Sequence, residues 1–311
     1  MKMKAILKKG MCIFSSALLV CFFAIAPAGP VSAADGLTKI ADNVYSYVGV
    51  KKASPANSFG ANAGIVIGRD GIVVIDTLIS AKEAGRFIRD IRAVSDKPIR
   101  YVINTHSHLD HTFGNVEFAR LGAVIVSHVN GRKNIQMNGE ANLKKAAAYG
   151  LTDKEMEGTR VTYPTLTFSE KMQIDLGDQI LELVYDGPSH TNDSIYVYLP
   201  DKKILFAGDI LFTDYYPNVV DGDLAGWTKT LDSILALDVA KIIPGHGPLS
   251  DKKDVLEMKS FLIGFDKKAK ELAAVSDDAG YITSELKKAL PHREELDFLV
   301  PMIIQKKYLK R

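Results

Sequence analysis

Between residues 105 and 111 the chain reads Thr-His-Ser-His-Leu-Asp-His, directly after the apolar run Tyr101-Val102-Ile103-Asn104. Three imidazoles and a carboxylate in so short a stretch constrain the fold more than any other feature. Histidine nitrogen and aspartate oxygen are ligands for first-row transition metals. Residues two apart in an extended segment point to the same side, so His106 and His108 are placed to grip one ion together. Asp110 and His111 then face a second position. The whole chain holds only seven histidines, and three of them lie here. A solvated polar loop has no reason to gather them, which makes this a candidate metal site.

The first 34 residues are set apart by their composition. Lys2, Lys4, Lys8 and Lys9 precede an uncharged apolar run from Met11 to Ala26, which Pro27, Gly29 and Pro30 break ahead of Val31-Ser32-Ala33-Ala34. This pattern predicts a secretory signal peptide cleaved after Ala33 or Ala34, hence a periplasmic or extracellular protein. The apolar run falls short of the roughly 20 residues that span a bilayer, although retention as an anchor stays open. The leader carries four lysines and no acids, so its removal takes the formal charge from +2 to −2. The remaining 35–311 has no polybasic argument for nucleic acid or, after cleavage, for a membrane surface. Cys12 and Cys21 also leave with the leader. Any metal in the exported chain is therefore held by nitrogen and oxygen alone.

Short β-branched or aromatic runs recur over Val44–Val48, Ala63–Ile67, Ile72–Ile75, Ile99–Asn104 and Val124–Ser127. They predict strands, with Arg69-Asp70-Gly71 as a hairpin turn between two of them. Helical spacing marks Ala81–Val94, Val116–Leu121 and His128–Tyr149. A second strand series follows over Val161–Phe168, Met172–Asp175, Gln179–Tyr185, Ser194–Leu199 and Ile204–Ala207, with Pro200-Asp201-Lys202-Lys203 as a further turn. Then come a helix over Leu224–Leu237, a strand over Lys241–Ile243 and a mostly helical tail over 251–311. Two halves of this kind suit an α/β fold with two packed sheets and helices outside. No sharp domain boundary appears. The polar stretch Gly131–Tyr163 is either a mobile cover or a surface helix pair.

Three further candidates share one placement. His190 follows the strand ending at Tyr185, Asp209 follows Ala207 through Gly208, and His246 follows Ile243 through Pro244-Gly245. Each is expected just past the carboxyl end of a strand, where ligand groups of α/β proteins gather. His106, His108, Asp110, His111, His190, Asp209 and His246 thus form a donor set for two metals. His128 and His292 lie outside it and read as ordinary histidines. Tyr215, Tyr216 and Asn218 follow the Asp209 loop and either line a substrate cleft or pack. Trp227 is expected to pack a helix onto a sheet. Asn115 and Asn192 are candidates for fixing imidazole orientation.

The run THSHLDH, Gly187-Pro188-Ser189-His190-Thr191, Phe206-Ala207-Gly208-Asp209 and Pro244-Gly245-His246-Gly247 resemble the ordered motifs of the metallo-β-lactamase superfamily. Asp76, in Ile72-Val73-Val74-Ile75-Asp76-Thr77, resembles its first motif. The resemblance implies a single-domain, four-layer αββα sandwich with the site on one edge. It also implies two zinc ions, with iron or manganese as alternatives. His106, His108 and His190 would hold the first, Asp110, His111 and His246 the second, and Asp209 would bridge them. Asp76 is expected to fix loop backbone without binding metal.

Two divalent ions close together depress the pKa of a shared water towards neutrality, which supplies hydroxide without a strongly basic side chain. The expected activity is hydrolysis of an ester, thioester, lactone or amide bond in a small molecule by a metal-bridging hydroxide. Asp110 would orient the water and pass on its proton. Alternatives stay open. A β-lactamase fits the ligand order, but those enzymes carry cysteine or serine where this chain has Asp209, and aspartate there resembles the glyoxalase II and general hydrolase branches. Glyoxalase II acts on a cytoplasmic glutathione thioester, which sits badly with export. A lactonase, a mononuclear-iron persulfide dioxygenase and a non-catalytic metal-binding protein complete the set. Substrate and oligomeric state are not legible.

Overall fold

The computed structural model describes residues 36–309, so the leader expected over 1–34 lies outside the described residues. Two sheets carry the fold. The first has seven strands in sequence order: β1 (Thr38–Ala41), β2 (Val44–Ser46), β3 (Gly64–Gly68), β4 (Gly71–Ile75), β5 (Ile99–Ile103), β6 (Val124–His128) and β7 (Leu166–Phe168). The second has five: β8 (Lys171–Asp175), β9 (Ile180–Val184), β10 (Tyr196–Leu199), β11 (Ile204–Phe212) and β12 (Lys241–His246), with β12 and β8 at its edges. Pairing is parallel from β4 through β7 and between β11 and β12, and antiparallel elsewhere. The helices are α1 (Ala81–Val94), α2 (Leu109–Thr112), α3 (Asn115–Arg120), α4 (Val129–Lys144), α5 (Asp153–Met156), α6 (Leu224–Ala236), α7 (Lys252–Ala273), α8 (Ala279–Ala289) and α9 (Val300–Ile303).

Side-chain alternation explains the layering. On β4, Val73 and Ile75 face the core between the sheets, whereas Ile72 and Val74 face an outer core against α1 and α3. On β11, Ile204 and Phe206 point inward to the other sheet, while Leu205 and Ala207 meet α6 and α7. Strands covered on both faces read as continuous apolar runs. Helix, sheet, sheet and helix therefore stack into the four-layer αββα sandwich, and the described residues make one compact unit. In α1 the apolar face is Ala84, Phe87 and Ile91, at helical spacing, and Ser80 Oγ caps the first turn by accepting from Glu83 N–H at 3.2 Å. Phe87 is fully buried, and truncation to alanine at such a position costs about 3–5 kcal/mol.

Some element bounds differ from the sequence reading. The strand expected over Val161–Phe168 pairs only from Leu166, because Pro164 has no N–H to give a ladder. The helix expected over His128–Tyr149 ends at Lys144, and a 3-10 turn over Ala146–Tyr149 closes on left-handed Gly150. The strand expected over Ile204–Ala207 runs on to Phe212, with register shifts around Gly208. Among the described residues no helix is long and apolar enough to cross a membrane.

Candidate metal centre

Four segments converge at one rim of the sandwich. After β5 the chain bends through Thr105 to His108 and enters α2, which carries Asp110 and His111 on a single turn. His190 lies in the loop between β9 and β10, and His246 is the last residue of β12. Asp209 sits inside β11, not past its end. Gly208, at φ +51°, lets the strand bulge there so that the carboxylate turns into the site. Gly245 is equally constrained, since a Cβ at that position would lie 2.0 Å from Asp209 Oδ1.

The imidazoles are held from outside by groups that fix which nitrogen faces inward. His111 Nδ1–H donates to Asp76 Oδ2 at 2.9 Å, leaving Nε2 directed at the site. His246 Nδ1–H donates to the Phe59 carbonyl at 3.1 Å, with the same result. Thr105 Oγ1–H donates to Asp76 Oδ2 at 2.7 Å, so its oxygen is free to accept from His106 Nδ1–H at 3.1 Å. His108 is turned over: its Nε2 faces Asp221 Oδ2 at 3.4 Å, and its Nδ1 faces His190 Nε2 at 3.0 Å. An imidazole whose outer N–H is engaged presents its other nitrogen to a ligand.

Those inner atoms fall into two groups. His106, His108, His190 and Asp209 make one, and Asp110, His111 and His246 the other, each with candidate ligand atoms within 4.8 Å of one another. Asp209 divides between them. Its Oδ2 lies 3.3 Å from His190 Nε2 and 3.6 Å from His106 Nε2, while its Oδ1 lies 3.1 Å from His111 Nε2 and 3.5 Å from His246 Nε2. Asp110 Oδ2 is 3.4 Å from His246 Nε2 and 3.7 Å from His111 Nε2. His106 Nε2, His111 Nε2 and Asp209 Oδ1 are buried without a hydrogen-bond partner. Buried polar atoms seldom go unsatisfied, and three converging here fit a bound cation. The donor set, all nitrogen and carboxylate oxygen, fits a metal cofactor.

Electrostatics separate the groups. Burial pushes His190 down to about 3 and His106 well below the usual histidine range, because neither gains enough from Asp209 to offset desolvation. Burial also opposes the charging of His246 and His111, but there the carboxylates prevail. Asp209 and Asp110 raise His246 to about 9, and with Asp76 they hold His111 well above its ordinary value. Asp209 itself is kept well below the carboxylate range by four imidazoles, against the desolvation that opposes its charge.

A cleft of about 640 Å³ opens onto the cluster, with His108, Asp110, Asp209 and His246 in its lining. Asn218 lines it as well. Tyr215 and Tyr216 do not, which corrects their placement as substrate contacts. Tyr215 is fully buried, its hydroxyl donating to the Val50 carbonyl and its ring 5.6 Å from that of His246. Tyr216 is buried against Phe261. Both carry too much apolar surface to face a wet cleft when a helical tail is available to cover them.

Among the described residues neither Asn115 nor Asn192 hydrogen-bonds an imidazole. Asn115 ties Thr77, Asn104 and Thr162 together, and Asn192 meets Asn130, Asn134 and Tyr185. Trp227 packs α6 onto β11, donating to the Ile210 carbonyl at 2.8 Å, and its ring backs His190 at 5.2 Å. His128 caps α4 and stacks on Tyr185, while His292 is exposed. Sequence reasoning missed Asp221 and the Phe59 carbonyl as imidazole partners. Neither has a local signal, since the contacts span 113 and 187 residues.

A family model described as the metallo-beta-lactamase superfamily matches residues 57–246. The chain is 28% identical over 182 residues to the 2,4-dinitroanisole O-demethylase subunit alpha of Nocardioides sp. (strain JS1661), covering 58% of this chain and only 50% of that protein. It is 26% identical over 216 residues to a metallo-beta-lactamase type 2 of Bacteroides fragilis, covering 68% of this chain and 78% of that one. Among solved structures, a metallo-beta-lactamase from Pontibacter korlensis superposes with a TM-score of 0.61 at 24% identity, over 73% of this chain and 98% of that chain. That likeness carries the fold.

Proposed function

The chain belongs to the metallo-beta-lactamase superfamily and is a metal-dependent hydrolase, and from that premise we propose an exported dinuclear-zinc enzyme that cleaves an ester, thioester, lactone or amide bond of a small molecule. The observation that carries the reading is the division of Asp209. One carboxylate oxygen faces His106 and His190 and the other faces His111 and His246, which would let Asp209 serve both cations. When bound, two zinc ions supply hydroxide at neutral pH and neutralise the negative charge that develops on a carbonyl oxygen.

The chain's own residues do the rest. His106, His108 and His190 would hold one ion, and Asp110, His111 and His246 the other. Asp76 and the Phe59 carbonyl keep the Nε2 atoms of His111 and His246 aimed into the site. Asp110 lines the cleft and is held below the usual carboxylate range by His111 and His246 despite its burial. As an ionised base it takes the proton of the attacking water and returns it to the leaving group. The acyl–heteroatom bond breaks, the acid keeps the water oxygen, and the alcohol, thiol or amine leaves with the proton. Asp209 also speaks against lactam hydrolysis as the main activity, since the lactamases this chain resembles carry cysteine or serine there.

The test is a metal assay on protein made without added metal, together with turnover of a thioester, a lactone, a phosphodiester and a chromogenic cephalosporin with and without chelator. Two zinc ions per chain and chelator-sensitive acyl hydrolysis are expected. One iron per chain with oxygen consumption would replace this reading by a dioxygenase, and no chelator-sensitive turnover on any class by a binding protein. Export is checked by N-terminal sequencing of the mature protein, expected to begin at Ala34 or Asp35.

A further inference from the structure

The cleft beside the ligand groups has two chemically different walls. One is α4. Asn134, Asn138 and Asn142 recur every four residues, which lines them up on one helix face ending at Lys145. Asn134 is committed to Ser107, Asn192 and Asp193. Asn138 and Asn142 have no side-chain hydrogen bond among the described residues and present their amides to the cleft.

The other wall is apolar and comes from the C-terminal tail, beyond residue 246 where the family match stops. Leu296, Leu299 and Met302 line it, with Phe59 beside them, and Lys306, four residues beyond Met302, ends the apolar run with a charge. This wall is tied down at several points. Arg293 donates to the carbonyls of Phe212 and Tyr215 at 3.4 and 3.1 Å. The Glu295 carboxylate accepts from the N–H groups of Lys52 and Ala53 at 2.8 Å each, and its carbonyl accepts from Tyr216 N–H at 3.0 Å. Leu296, at φ +60°, holds a left-handed backbone that L side chains seldom adopt. Residues kept in such conformations persist where the surroundings over-determine them, often at ligand sites.

We propose that the tail wall binds an aliphatic segment of the substrate next to the scissile bond, so that the substrates are amphipathic esters or thioesters. This rests on the hydrolase reading above. A reacting carbonyl must sit at the ligand groups, and an aliphatic segment leaving it towards α4 would desolvate the free amides of Asn138 and Asn142 without replacing their hydrogen bonds. Towards Leu299 and Met302 the same segment buries apolar surface on both partners. The polar half of the substrate then takes the α4 wall. The geometry assigns the aliphatic segment to the tail whether it belongs to the acid or to the alcohol.

The experiment uses the zinc-loaded mature protein and two series of esters: p-nitrophenyl acetate, butyrate, hexanoate and octanoate on the acid side, and ethyl, butyl, hexyl and octyl acetates on the alcohol side. In one series kcat/KM is expected to rise about two- to fourfold per added methylene, the other staying flat, which identifies the half that packs on the tail. Leu299→Asn and Met302→Asn should each lower the ratio of long- to short-chain kcat/KM at least about tenfold. Ile263→Asn, on the exposed face of α7 and outside the cleft, should preserve that ratio. Two flat series, or variants with an unaltered ratio, overturn the proposal.

Absence of chelator-sensitive ester turnover counts against the hydrolase reading instead. In that case, calorimetric titration of the zinc-free protein with octanoate and octanol reads the wall directly. Binding that disappears in Met302→Asn supports the proposal, and no binding overturns it.

Discussion

The two ligand groups share Asp209 but differ in their surroundings. In the first, three imidazoles meet one carboxylate, burial keeps His106 and His190 uncharged, and His108 leans outward on Asp221, whose side chain is 61% exposed. In the second, two imidazoles meet Asp76, Asp110 and Asp209, and the carboxylates raise both, His246 to about 9. His106 and His190 therefore offer lone pairs at little protonic cost, whereas His108, opposed by burial, is raised by Asp221, Asp110 and Asp209. The second releases protons when a cation enters. Similar side chains thus differ in readiness because of how many carboxylates surround them.

The comparison is broken most directly at the shared residue. Asp209→Ala should remove metal from both groups and abolish turnover, measured by metal content and kcat/KM. Retention of two metals would mean that the groups are independent. His108→Ala and His246→Ala come next, each expected to abolish turnover while lowering metal content by one equivalent. Loss of both metals in either variant would show that one group supports the other.

Smaller effects sharpen the contrast between supports. Asp76→Asn should weaken metal retention in the second group about 10–100-fold, because buried Asp76 holds both His111 and Thr105. Asp221→Asn should cost only several-fold, since its contact with His108 is long and exposed to solvent. Competition with a chromogenic chelator measures both. In the metal-free protein, His246 is raised from 6.5 to about 9, so the stability it contributes is present below about pH 6.5 and is lost as pH rises towards about 9. Chemical denaturation of chelated protein across that window should show the decline, and zinc should reverse its direction. Tyr216→Phe, far from the cleft, should leave kcat/KM unaltered.

Much of the fold was legible because its cues are local. The bounds of α1 fell where helical spacing placed them, and Arg69-Asp70 closed the β3–β4 hairpin as its turn residues required. Errors arose where a neighbouring segment overrode the local pattern. Strand β11 ran past Ala207 because β12 pairs alongside it through Gly208. Tyr215 and Tyr216 followed a ligand loop in the sequence, yet the tail pulled them into its core.

The amino-acid sequence alone determined which donors exist and that His106, His190 and His246 would lie near strand ends, since few residue types bind transition metals and their loops follow apolar runs; Asp209 lies inside β11 instead. Tertiary packing alone decided the rest: the splitting of Asp209 between two groups, the turning of His108 onto Asp221, the hold of Phe59 on His246, and the tail that makes the apolar wall. The contacts of His108 with Asp221 and of Phe59 with His246 join residues 113 and 187 apart, and no periodicity or spacing along the chain encodes which segments will meet.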